Sequence, residues 1–81
     1  MKPTVGRIVH YVLAPNDLPN ARVGEVRPAV VVRVNPTGSL NLSVILDGTN
    51  DQKRDPLSTS LWCGSVDEGS VPGTWHWPER V

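Results

Sequence analysis

Apolar and polar residues alternate along much of the chain, and this two-residue period predicts β-strands. The clearest case is the segment 39–47, where every even-numbered residue is a leucine or valine. Side chains of a strand point alternately to its two faces, so these residues share one face and are expected to be buried. They are Leu40, Leu42, Val44 and Leu46.

The segment 28–34 predicts a second strand, in which three even-numbered valines share one face. These are Val30, Val32 and Val34, with Ala29, Val31 and Arg33 on the other face. Residues 35–38 have turn composition, with proline and glycine, so the two strands form a hairpin at the centre of the core. Replacing Val32 or Leu42 with alanine is then expected to cost about 2–5 kcal/mol.

Three further strands are predicted at 5–13, 57–66 and 74–77. Eight prolines and seven glycines interrupt the chain too often for a helix of three turns with an apolar stripe. Residues 1–81 are long enough for one core only. The order of strands and loops predicts a single all-β domain, a strongly bent five-stranded barrel of the SH3-like or Tudor-like kind.

Charge and cysteine content narrow the function classes. Eight Lys plus Arg balance eight Asp plus Glu, which disfavours general electrostatic binding to nucleic acid or to an anionic membrane. One cysteine and two histidines make no zinc-ligand spacing, and no segment approaches the roughly 20 apolar residues of a membrane helix. We expect no metal, no cofactor and a reducing intracellular compartment.

The four residues 74–77 contain two of the three tryptophans. In an extended strand Trp75 and Trp77 share one face and His76 lies on the other. One interpretation is an aromatic platform for a planar base or a cation. The other is that tryptophan fills core volume in a protein without phenylalanine, so at least one of the pair is expected in the core.

Three other aromatic residues are assigned from their neighbours. Trp62 lies between Leu61 and Cys63 and is expected to be buried or half-buried. Tyr11 and His10 are adjacent on the first strand, so one faces inward and the other lines a surface. No histidine has a serine, cysteine or carboxylate pair at a catalytic spacing, which predicts a protein that is not an enzyme.

Polar groups suited to a ligand are found in a loop and on the strands. The loop 47–51 contains Asp47, Asn50 and Asp51, which are either ordinary turn formers or readers of ligand hydroxyl groups. Its carboxylates do not match a calcium loop. Arg7, Arg27 and Arg33 either line a pocket for an anion or form salt bridges with Glu25 and Asp47.

Four segments together resemble a recurrent family of small proteins of tailed phages and prophages. They read GRIVHYVL at 6–13, VVRV at 31–34, LDGTND at 46–51 and PGTWHWPERV at 72–81. The resemblance covers most of the chain, and its last segment is the most specific. It implies a phage protein that works in the host cytoplasm, where many small phage proteins counter host defences.

The resemblance implies a sponge, a non-enzymatic protein that sequesters a nucleotide-derived immune signal of the cyclic nucleotide or cyclic ADP-ribose type. Trp75 or Trp77 would stack the base, Arg27 and Arg33 would hold phosphate, and Asp47, Asn50 and Asp51 would read the sugar. His76 and Tyr11 complete the expected binding residues. Because so small a barrel offers little concavity, a homo-oligomer with its pocket between subunits is expected.

Two other functions stay open at this point. One is a Tudor-like or KOW-like interaction module that binds a host protein or nucleic acid, although the neutral charge argues mildly against nucleic acid. The other is an enzyme acting on such a nucleotide, with His10 or His76 as the acid or base, which lacks a second catalytic group.

Overall fold

The protein is an antiparallel five-stranded sheet, seen here in a computed structural model that describes residues 2–15, 17, 23–47 and 60–78. The strands are β1 (Ile8–Val12), β2 (Val26–Val34), β3 (Leu40–Ile45), β4 (Ser60–Val66) and β5 (Trp75–His76). Their order across the sheet is β4-β3-β2-β1-β5. Over these ranges there is no helix and the sheet is not closed, so the all-β prediction is confirmed at the level of class and strand number.

The core lies on one face of this sheet. Its largest fully buried side chains belong to β1, β2 and β3 and to the residue after β1: Val9, Leu13, Val31, Leu40, Leu42 and Val44. The even-numbered residues of the segment 39–47 are all buried, as their period predicts. The cluster also contains Tyr11, Ala29, Leu46, Cys63, Val66 and Trp75.

Strand β2 presents the opposite face from the one predicted. Val31 pairs with Leu42 of β3 and is buried, whereas Val32 is 49% exposed. The prediction that Val32 faces the core is therefore wrong. The run Ala29–Val32 is entirely apolar, so its sequence does not indicate which side chains face the core. Pairing with β3 determines the buried face, and a bulge between Val31 and Arg33 shifts the register of the residues that follow.

The β2–β3 connection and the end of β4 are joined by a polar network. The Asn35 amide donates to the Asn41 Oδ1 at 3.0 Å and to the Ser39 hydroxyl at 3.1 Å. Asn41 Oδ1 also accepts the Ser65 backbone N–H at 3.0 Å, where β4 bulges and Ser65 has φ +54°. Asn41 thus accepts the Ser65 N–H, which the bulge removes from the hydrogen-bond ladder between β3 and β4.

After β4 the chain returns to the far side of β5. Glu68 forms a parallel bridge with Trp75, the Gly69 N–H donates to the Trp75 carbonyl at 2.8 Å, and the Trp75 N–H donates to the Asp67 carbonyl at 3.0 Å. Strand β5 therefore lies between β1 and residues 67–69. None of the described segments forms a helix long and apolar enough to cross a membrane.

Candidate functional site

Trp75 belongs to the core. It lies opposite Tyr11 in the β1–β5 ladder and is 2% exposed. Its indole Nε1 has no hydrogen-bond partner among the described residues. The prediction that at least one tryptophan of the pair is buried is confirmed, and Trp75 presents no ring face to a ligand.

Trp77 is half-buried at the margin of the core. Its ring stands at 89° to that of Trp75, with centroids 5.5 Å apart, which is the edge-to-face geometry that aromatic rings prefer. The guanidinium carbon of Arg7 lies 5.8 Å from the Trp77 ring centroid, within cation–π range. An indole and a guanidinium side by side can accept a planar ring and an anion together.

The sequence groups Arg7 with Arg27 and Arg33 and gives no local link between Arg7 and Trp77. The signal was present in the two-residue period: Arg7 precedes the buried Val9 by two positions and so shares its face. The pairing of His10 with His76 brings the residue after β5 to the level of Val9. Arg7 and Trp77 become neighbours only because β1 and β5 are adjacent in the sheet.

His76 lies on the face opposite Trp75, as the alternation predicts. It pairs directly with His10 across β1 and β5, and the two rings meet edge to face with centroids 5.8 Å apart. The His76 Nδ1 is buried and has no partner among the described residues. Within those residues no group of three or more His, Cys, Asp or Glu side chains is arranged to hold a metal ion.

Tyr11 has a structural position inside the sheet. It is 3% exposed, and its hydroxyl donates to the Asp17 Oδ2 at 2.7 Å. The same oxygen accepts the Ala14 N–H at 2.7 Å, so Asp17 ties the chain after β1 to the core. Burial raises the pKa of Tyr11, and its hydrogen bond to Asp17 and the neighbouring Cys63 raise it further.

Arg27 faces the same side of the sheet as Tyr11, its cross-strand neighbour, and is half-buried. Its Nη1 forms a salt bridge with the Glu25 Oε1 at 3.3 Å and donates to the Val26 carbonyl at 3.2 Å. Of the two roles open for the arginines, this geometry corresponds to the salt bridge with Glu25.

The structure does not bring the other predicted polar residues to one place. Arg33 pairs with Asn41 near the β2–β3 connection. Arg27 lies six positions earlier on β2, which at a rise of about 3.3 Å per residue places it about 20 Å away. Asp47 is exposed just after β3, at the Arg27 end. Asn50 and Asp51 lie outside the described residues.

The outer face of the sheet carries an exposed apolar surface that the sequence pattern does not predict. Ile8, Val30, Ser43 and Trp62 are consecutive partners across β1, β2, β3 and β4. Trp62 is 67% exposed, so its predicted burial is wrong. Its pairing with Ser43, an odd-numbered residue of β3, explains why: the even-numbered residues of that strand face the core.

The geometry therefore offers two surfaces, the Arg7–Trp77 pair and the outer face around Trp62. Comparison of the chain with protein-family models, with curated proteins and with solved structures found no match.

Proposed function

We propose that the protein binds, without chemical turnover, a small ligand that combines a planar base with an anionic phosphate. The observation that carries the proposal is the Arg7 guanidinium over the half-buried Trp77 ring. Trp77 stacks the base, and Arg7 leaves the ring to hold the phosphate in a bidentate manner. Trp75, perpendicular to Trp77, fixes the orientation of the platform from within the core.

The ligand class in this proposal is a nucleotide-derived immune signal, of the cyclic nucleotide or cyclic ADP-ribose type, sequestered in the host cytoplasm. The likeness of the sequence to small phage proteins supports that context. The fold proposed with it is an SH3-like barrel. Two observations support such closure: the order β4-β3-β2-β1-β5, and the bridge between Glu68 and Trp75, which brings the chain after β4 to the free side of β5.

Calorimetric titration with cyclic nucleotides and ADP-ribose derivatives tests this function. Loss of one stacked base is worth about 1–3 kcal/mol, so Trp77→Leu is expected to weaken binding about 5- to 150-fold. Arg7→Gln is expected to weaken binding of phosphate-bearing ligands only. Arg27→Gln is the matched control, since Arg27 is engaged with Glu25 elsewhere on the sheet.

Two results would contradict the proposal. One is the absence of binding to every member of the panel at millimolar ligand. The other is equal binding by the wild type and both site variants. Recovery of the bound ligand after denaturation separates sequestration from catalysis, because an enzyme would release altered product.

A second candidate function is an interaction module of the Tudor-like or KOW-like kind, directed at a host protein or nucleic acid. The exposed apolar outer face around Trp62 favours it, since exposed apolar patches often mark interaction sites. A host protein retained by the wild type and lost with Trp62→Ser would support this function. Binding to RNA or DNA that falls steeply with salt would identify the nucleic-acid version.

A further inference from the structure

The only two histidines of the chain face each other on the side of the sheet away from the core. His10 of β1 and His76 of β5 are direct cross-strand partners, and both are half-buried. Side chains directly opposite in an antiparallel pair have Cβ atoms about 4.5–5.5 Å apart. Strand pairing therefore holds the two imidazoles side by side, a proximity that their spacing along the sequence does not reveal.

Among the described residues, each imidazole makes its ring contact with the other, and no side-chain hydrogen bond or ion pair engages either of them. The His76 Nδ1 is buried and has no hydrogen-bond partner. A buried polar atom without a partner costs about 1–3 kcal/mol and calls for an explanation, such as a bound ion or water. The other cross-strand neighbour of His10 is Pro28, whose side chain offers neither donor nor acceptor.

The separation of the two rings fits a metal ion held between them. An imidazole nitrogen binds Zn²⁺ at about 2.0–2.1 Å, which places the ion about 3.2 Å from the ring centroid. Two imidazoles on one ion, at a tetrahedral or wider angle, then have centroids about 5–6 Å apart. The observed distance is 5.8 Å, and χ2 of histidine is broad, so small ring rotations direct one nitrogen of each ring at a common point.

The nearest side chains along β1 do not repel a cation. Ile8 and Val12 lie two positions before and after His10, share its face and carry no charge. Arg7 and Arg27 point to the other face, since Arg7 alternates with His10 along the strand and Arg27 pairs with the buried Tyr11.

We infer that His10 and His76 form a two-histidine site for a divalent transition-metal ion of the kind that imidazole binds well, such as Zn²⁺ or Cu²⁺. Cross-strand pairing places both ligands before the ion arrives, which lowers the entropy cost of binding it. Two protein ligands leave the remaining coordination positions to water or to an anion, so the site is open. It lies on the opposite face of β5 from Trp77 and is separate from the proposed nucleotide site.

Calorimetric titration of the full chain with ZnCl₂, CuCl₂ or MgCl₂ tests the inference. One Zn²⁺ or Cu²⁺ ion per chain is expected to bind, Cu²⁺ more tightly, whereas Mg²⁺ prefers oxygen ligands and is expected not to bind. His10→Gln and His76→Gln are each expected to raise the dissociation constant at least about tenfold, because the second ligand then no longer acts within the same molecule.

The matched control keeps two histidines and separates them. His76→Gln combined with Val34→His places the second imidazole at a position that is 40% exposed. Val34 lies six positions along β2 from Pro28, the partner of His10, and therefore about 20 Å away. This variant is expected to bind metal as weakly as His76→Gln alone. Cys63→Ala is expected to bind like the wild type, since Cys63 is buried on the core face.

Circular dichroism shows whether each variant is folded, and either single histidine variant keeps the test valid if the other is not. The absence of Zn²⁺ and Cu²⁺ binding to the wild type at 1 mM would overturn the inference, where 1 mM is about the weakest affinity that such a titration resolves. So would equal binding by the wild type and the single variants, which would show one-histidine attachment. Wild-type affinity in the separated-histidine variant, or loss of binding in a folded Cys63→Ala, would also overturn it.

Discussion

The hydrogen bond between Tyr11 and Asp17 provides the sharpest test of how this small core is held together. Tyr11→Phe removes the hydroxyl and leaves the ring. The lost bond is 2.7 Å long and has a carboxylate acceptor, and bonds to charged groups contribute about 1.5–3 kcal/mol. Asp17 is half-buried and keeps its bond from the Ala14 N–H, so we expect a loss near the lower limit, about 1.5 kcal/mol.

The same contact predicts how stability depends on alkaline pH. The pKa of Tyr11 in the folded protein is raised above the value of about 10 in an unfolded chain, chiefly by burial. Below pH 10 Tyr11 is protonated in both the folded and the unfolded protein, so its full contribution to stability is present. Above pH 10 the unfolded chain releases the proton first, so stability falls by up to about 1.4 kcal/mol per pH unit.

Urea unfolding of the wild type and of Tyr11→Phe between pH 7 and about pH 11.5 measures both effects, since the chosen range spans the free tyrosine pKa. The difference between the two proteins isolates Tyr11, because other alkaline groups are common to both. Tyr11 is the only tyrosine, so phenolate absorbance reports on it alone and should appear only as the protein unfolds.

Two controls sharpen this experiment. Asp17→Asn, alone and combined with Tyr11→Phe, gives the coupling energy of the pair in a double-mutant cycle. If the phenolate formed near pH 10 without unfolding, the assignment of Tyr11 to a buried, bonded position would be refuted. An equal alkaline slope in the wild type and Tyr11→Phe would refute it as well.

Four further substitutions test the packing and the polar network. Leu42→Ala is expected to lower the unfolding free energy by about 2–5 kcal/mol, but Val32→Ala by less than about 0.5 kcal/mol, because only Leu42 is buried. Urea unfolding of the two variants measures both losses. Equal losses would contradict the observation that Val32 lies on the exposed face of β2. Gly64→Ala is expected to displace the Trp62 indole into water and red-shift its fluorescence; an unchanged spectrum would contradict the contact. Asn41→Ala removes two bonds and is expected to cost about 1–3 kcal/mol by thermal or urea unfolding, whereas no loss would show that water replaces Asn41.

The sequence was sufficient for the class of fold because β3 has an unbroken two-residue period. Each of its even positions is apolar and buried, and the turn signal at 35–38 fixes the neighbouring strand. The buried face of β2 could not be predicted in the same way. Four consecutive apolar residues fit either face, and the bulge after Val31 places the next residues outside the core.

The candidate site was only partly predictable because its residues come from opposite ends of the chain. The alternation within 74–77 correctly separated Trp75 from His76. The neighbour of Trp77 could not be deduced locally, since Arg7 reaches it only through the pairing of β1 with β5. For Arg27, the salt bridge with Glu25 was already one of the two predicted roles.

The distribution of aromatic residues connects the two surfaces. The chain has three tryptophans, one tyrosine and no phenylalanine, and Trp75 and Tyr11 are in the core. Core packing therefore does not explain the exposure of Trp62, and it accounts for only part of the Trp77 ring, which packs on Trp75 and also contacts Arg7. Since the two outer tryptophans lie on different faces, their fluorescence separates the two candidate functions: a bound partner protein should change the emission of Trp62, and a nucleotide should change that of Trp77. A nucleotide response that persists in Trp77→Phe but is lost in Trp62→Phe would move the ligand to the outer face and count against both.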